Sequence, residues 1–187
     1  MSGGTIAAIF VIIILISTPI AVLVRQISLR RRLQARFGPE YDRVVGERQS
    51  RRTAEAELVA RQRRVRKLRL RDLTDAAREK YETLWIEAQE RFVDDPSEAI
   101  ADAQALVESV MRERGYPVSG YQQTVADLSV THALALDQFR SAHDVSERTV
   151  ADQTTTEELR VALLNYRELF GDLIGVVMTG DNHVGAA

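Results

Sequence analysis

Two of the three histidines, His132 and His143, fall where imidazole chemistry could matter. With Val125, Leu128, Leu136 and Phe139 they recur at intervals of three and four, the face of a helix expected from Tyr121 to about Asp144. On one straight helix their eleven-residue separation is three turns, about 16 Å along the axis, too far to share a metal with ligand bonds of about 2 Å. No Cys and no His-x-x-x-His pair is present, so a metal site would need carboxylates from other helices. Packing in or beside a core is the plain role for both. A helix-bundle enzyme, or a pH or ligand sensor, using His132 or His143 is the rival reading, because imidazole changes charge within the physiological range.

The other chemistry-bearing groups are charged. Asp94, Asp95, Glu98 and Asp102 cluster at a helix start, where capping and the helix dipole explain Asp95 and Glu98, and the spacing of a calcium loop is absent. There is no Gly-x-Ser-x-Gly elbow and no glycine-rich phosphate loop. No catalytic residue and no cofactor is indicated, and no small-molecule substrate is either. Arginine is the stronger lead. Arg25, Arg30, Arg31, Arg32 and Arg36 form one group, and Arg61, Arg63, Arg64, Arg66, Lys67, Arg69 and Arg71 a second.

The first group follows twenty uncharged residues, Thr5 to Val24, thirteen of them Ile, Val, Leu or Phe. At about 1.5 Å per residue such a helix matches a hydrocarbon core of about 30 Å. A cleaved signal peptide would want a basic n-region, and Met1 to Gly4 carries no Lys or Arg. The expected arrangement is a short tail (1–4), a single-pass transmembrane helix (5–24), a basic juxtamembrane and stalk helix (25–73), an acidic helical bundle (74–175) and a flexible tail (176–187). Five arginines after the span and none before it put the N-terminus outside and the C-terminal domain in the cytoplasm. Those arginines are then contacts for anionic lipid, worth about 1 kcal/mol each at the membrane surface.

Beyond the span the charge is bipolar. Residues 25–80 hold 18 Lys or Arg against eight Asp or Glu, a net of +10, while residues 81–187 hold seven against 19, a net of −12. The whole-chain value of −2 conceals both. Zero cysteines excludes disulfides, cysteine-ligated zinc, iron–sulfur clusters and thiol catalysis.

The soluble segments read as helices. Gly38-Pro39 interrupts the first, and a second is expected from about Glu40 to Lys67, its middle solvated and laced with pairs four apart such as Glu47 with Arg51. It could be a stalk or one strand of a coiled coil, although no heptad is sustained. On an upright helix the second basic group would stand about 35 to 50 Å from the anchor, beyond the lipid field. Its partner would be the acidic bundle in cis, a neighbouring copy in trans, another protein, or nucleic acid. Nucleic acid is disfavoured by the lack of interleaved aromatics or a binding fold.

In the acidic half, Thr74 opens a helix bearing Ala77, Tyr81, Leu84, Trp85, Ala88 and Phe92. Asp95 caps another that begins at Pro96 and stops at Gly115-Tyr116-Pro117. A break is expected near Leu128 to Val130, and Thr155 or Thr156 caps a last helix ending near Ile174. No period-2 run argues for a sheet.

Several short elements stand out: Arg36-Phe37-Gly38-Pro39-Glu40-Tyr41-Asp42-Arg43, Arg91-Phe92-Val93-Asp94-Asp95-Pro96, Leu106-Val107 through Val110-Met111 to Arg114-Gly115-Tyr116-Pro117, Ala126-Asp127-Leu128-Ser129, and Tyr166-Arg167-Glu168-Leu169-Phe170. In them the chain resembles a family of small uncharacterised bacterial proteins with an N-terminal membrane helix. The resemblance spans nearly the whole soluble region. It implies a membrane-anchored helical protein and no particular reaction. The function expected from all this is a membrane-tethered helical interaction or scaffold protein, not an enzyme, with a protein partner or self-association. The enzyme or sensor reading and a nucleic-acid tether through the stalk are the alternatives.

Overall fold

The computed structural model describes residues 3–150 and 153–175, with side chains from Leu15 onward except Ile16. These residues form eight helices and no strand, the all-α class expected. They are α1 (Gly3–Phe37), α2 (Pro39–Glu47), α3 (Arg51–Val65), α4 (Asp75–Arg91), α5 (Pro96–Arg114), α6 (Tyr121–Leu128), α7 (Leu136–Thr149) and α8 (Thr156–Ile174). Among the described residues no helix is long and apolar enough to cross a membrane. Most side chains of the predicted span, Thr5 to Val24, lie outside that description, as does the tail 176–187.

The chain divides into two units, Met1–Val59 and Ala60–Ala187, with the boundary inside α3. In the first, α1 continues without a break from the apolar segment through the arginines to Phe37. Pro39 then takes the first position of α2, where its missing N–H costs nothing. Tyr41 is buried and donates its hydroxyl hydrogen bond to Glu55 at 2.8 Å, tying α2 to α3.

The single helix expected from Glu40 to Lys67 is therefore two. Arg48 to Ser50 are exposed and non-helical, and they fall in the solvated middle, between the apolar Val44-Val45 and Leu58-Val59. Ser50 accepts from the backbone N–H of Thr53 at 3.2 Å, so the solvated middle holds a helix start. Glu47 and Arg51 fall on different helices and lose their i,i+4 geometry. Arg48 instead reaches Glu57 at 2.6 Å across the break. With no straight rise through this region, the distance of 35 to 50 Å between anchor and second basic group no longer follows.

In the second unit α4, α5, α7 and α8 make a helical bundle. α8 packs on both α5 and α7, and α4 lies against α5. Its core holds Trp85, Ile100, Val107, Met111, Leu136 and Phe170, all buried, with Trp85 and Phe170 stacked at 4.6 Å between centroids. Burying an aromatic or large aliphatic side chain contributes about 1.5–3 kcal/mol, which makes this packing the main support of the bundle.

The helix ends are closed by local chemistry. Thr74 accepts from Ala77 N–H at 3.2 Å, and Asp95 from Glu98 N–H at 3.0 Å. Thr155 and Glu158 exchange bonds in a full capping box. Gly115 closes α5 in the left-handed region (φ 92°), and a Cβ there would meet the Arg69 carbonyl oxygen at 2.9 Å. The non-helical segment before α4 runs this close because Arg71 binds the end of α5. Its N–H meets Arg114 O at 3.0 Å and its Nε meets Glu113 O at 2.7 Å. Arg78 and Arg114 do the same for α8, donating to the carbonyls of Ile174 and Leu173.

Candidate functional site

The helix expected from Tyr121 to Asp144 ends at Leu128, and the chain does not resume it until Leu136. The break foreseen near Leu128 to Val130 is thus a seven-residue link, and His132 lies in it instead of on a helix with His143. The separation along a shared axis is consequently not the relation between them. Short polar and β-branched residues, Ser129, Val130 and Thr131, compete with helical bonding here, and backbone turns from Asp127 and Leu128 take up the N–H groups of Val130, Thr131 and His132.

This link carries a buried polar seam. His132 is buried; its Nδ1 lies 2.7 Å from Oδ2 of Asp172 on α8, and its Nε2 lies 3.2 Å from the hydroxyl of Tyr116. A carboxylate can only accept, so Nδ1 carries the proton and, in the neutral ring, Nε2 accepts from Tyr116. Tyr116 is also 2.9 Å from the Thr131 hydroxyl. Burial pushes the Tyr116 phenol up, with Asp172 and Asp127 adding to the rise and the Thr131 bond and Arg114 opposing it. The phenol therefore stays protonated at neutral pH, and the carboxylate–imidazole–phenol chain generates no nucleophile there. What the chain does is join the end of α5, the α6–α7 link and α8.

Beside it lies the second half of the seam, where part of the basic group is engaged. Arg64 donates to Asp127 at 2.8 Å, and Arg61 to the Ser129 hydroxyl at 3.3 Å. Asp127 and Ser129 are buried, and Ser129 donates onward to Ala126 O. Of the seven basic side chains singled out, Arg61, Arg64 and Arg71 are thus bound within their own unit. Arg63, Arg66, Lys67 and Arg69 are exposed and have no side-chain partner among the described residues.

The remaining candidates separate. His143 is on α7, its ring stacked on Tyr121 at 3.9 Å. Arg25, Arg31, Arg32 and Arg36 are exposed along α1, and Arg30 is half-buried. Of the acidic cluster, Asp95 caps α5 and Asp102 pairs with Arg91 at 2.9 Å. Among the described residues no group of three or more His, Asp or Glu is placed to hold a metal.

Asp127 and Ser129 had a signal in the sequence, as members of a distinct short element, but no partner could be assigned to them. Tyr116 was read as part of a helix stop. Asp172 carried no signal at all: its partner is 40 residues away. No family model matches the chain, and neither a curated protein nor a solved structure matches it.

Proposed function

We propose that the protein is a membrane-tethered helical interaction module. In this reading Thr5 to Val24 span the bilayer, Arg25, Arg30, Arg31, Arg32 and Arg36 meet anionic headgroups, and the helical domain faces the cytoplasm. The observation that carries it is the surface of α1: Leu15, Ile20, Val22, Leu23 and Val24 are all half or more exposed, and arginines follow them on the same helix. In water that apolar surface costs about 25 cal/mol per Å², whereas a bilayer makes it favourable. The resemblance to small bacterial membrane-anchored proteins points the same way. Arg63, Arg66, Lys67 and Arg69, exposed and without a side-chain partner among the described residues, are the contact for an anionic protein partner.

The test is extraction of cell membranes at alkaline pH. The full chain is expected to remain in the pellet, and Ile14→Arg, which places a charge at the centre of the span at a cost of about 3 kcal/mol, is expected to shift it toward the supernatant. Release of the unaltered chain would refute the tether.

A sensing role for His132 has one specific observation in its favour. Its Asp172 partner keeps about half of its side chain exposed (47%), so the buried imidazole is one hydrogen bond from solvent. Replacing His132 and His143 by Gln together tests this, with loss of partner binding in a folded protein as the supporting result and unchanged binding as the opposing one.

A further inference from the structure

α5 and α7 both pack on α8 but touch each other little, and the start of α6 closes one end of the gap between them. A cleft of about 220 Å³ remains, floored by Met111 and Val118. One wall is aromatic. Tyr121 stacks on His143 at 3.9 Å, and Phe139 lies 6.0 Å from Tyr121 and 6.3 Å from His143 between ring centroids. Besides the Tyr121 hydroxyl and the His143 imidazole, the polar lining is Gln104, Glu108 and Thr124.

We propose that this cleft binds a small organic cation of the alkylammonium class, held by the Glu108 carboxylate and the faces of the aromatic wall. The polar groups select the charge. The Thr124 hydroxyl donates to Pro117 O at 3.3 Å, and the Gln104 amide is used at both ends, its oxygen accepting from Tyr166 and its nitrogen donating to Glu108 at 3.4 Å. Among the described residues Glu108 is the one carboxylate lining the cleft, and a carboxylate has more acceptor sites than the two weak contacts it makes with them. Its other contact, Arg112, is 3.7 Å away one turn along the same helix; 55% of the arginine side chain and 41% of that of Glu108 are exposed, so water screens the pair. The field of Glu108 reaches inward as well: with Glu147 it adds to the rise that burial imposes on the Tyr166 phenol.

Shape narrows the class. Aromatic faces attract a cation within about 6 Å of a ring centroid and favour diffuse charge such as a quaternary ammonium. The volume suits a ligand of a few heavy atoms, below the roughly 300 Å³ at which drug-sized sites begin. A lipid headgroup fits less well, because its phosphate would stand against Glu108. The site does not depend on the membrane tether.

The test is calorimetric titration of the full chain, purified in a maltoside detergent at low salt, with choline chloride and separately with 3,3-dimethylbutan-1-ol, its uncharged isostere. Choline is expected to bind saturably with a Kd of about 0.1 to 10 mM. The isostere, and choline on Glu108→Gln, are each expected to bind at least about tenfold more weakly, with the unfolding temperature of the variant unchanged. No saturable heat with choline up to about 50 mM would overturn the proposal. So would an isostere that binds as well as choline, or undiminished binding by a folded Glu108→Gln protein. The isostere comparison decides the matter on the unaltered chain if the variant does not fold.

Discussion

Arg64 donates from Nε to Oδ1 of Asp127 at 2.8 Å, and the carboxylate it meets has 1% of its side chain exposed. The second oxygen, Oδ2, is buried and has no hydrogen-bond partner among the described residues. The pair joins the start of the second unit to the end of α6. It depends on Arg64 far more than its partly exposed guanidinium suggests, since an unpaired carboxylate in that place would have little solvation.

Removing one partner should therefore cost more than removing both. Arg64→Ala is expected to destabilise by about 3 kcal/mol, the lower end for a broken buried pair because the arginine is half solvated. The double variant Arg64→Leu with Asp127→Leu is expected to recover most of that loss. Urea unfolding of the three proteins measures it, and equal losses in single and double variants would contradict a desolvated pair.

Gly115 and Gly175 both close helices in the left-handed region, but among the described residues only Gly115 has a neighbour where a Cβ would stand. Gly175→Ala should cost about 1 kcal/mol from backbone conformation alone. Gly115→Ala should cost at least about 2 kcal/mol, because it must also push the Arg69 carbonyl away. Thermal unfolding of the two variants gives the comparison, and equal midpoints would show that the close approach does not matter.

The two histidines should separate in the same way. His132 loses two buried polar contacts on substitution, so His132→Gln is expected to destabilise by about 2 kcal/mol. His143 loses a ring stack on a partly exposed surface, and His143→Gln should cost less than about 1 kcal/mol. Chemical denaturation checks the order, and a reversed order would refute the seam as a cross-tie.

Acid should loosen the start of α8. The Arg148 guanidinium, followed by the Thr155 N–H and hydroxyl, holds the Glu158 carboxyl down to about 2, against an ordinary value of 4.5. A depressed folded-state pKa means that this stabilisation is fully present above about pH 4.5 and is lost as pH falls through about 2. Glu158→Gln should thus melt below the unaltered protein at neutral pH, and the gap should close between those two values. A gap independent of pH would contradict the linkage.

What could be seen in the sequence was what depends on near neighbours. Asp95 with Pro96 and Glu98, a threonine at 155 or 156, and Gly115 before Tyr116-Pro117 are local signatures: Asp95 and Thr155 cap the starts of their helices and Gly115 ends its own, while the Glu158 half of the Thr155 cap emerges from the structure. The break at Arg48 to Ser50 had a local signal too, the absence of large apolar residues between Val45 and Leu58. The i,i+4 charge pairs outweighed it because their spacing says nothing about whether the backbone between them is helical. The seam was out of reach for another reason: Arg64 and Asp127 are 63 residues apart, and His132 and Asp172 are 40 apart. Only tertiary packing brings such groups together, the end of α3 against α6 for the first pair and the α6–α7 link against α8 for the second, so helical period places the histidine on a helix while its setting is a link between helices.

The tether and its direction are tested together by one labelling experiment. The chain has no cysteine, and Val150 is 91% exposed, so Val150→Cys offers a single reactive thiol on the helical domain. Treated with a membrane-impermeant maleimide, this protein is expected to be labelled only after the cells are broken, and to be recovered with the membranes. Labelling on intact cells would reverse the orientation, and recovery of the protein in the soluble fraction would contradict the tether itself.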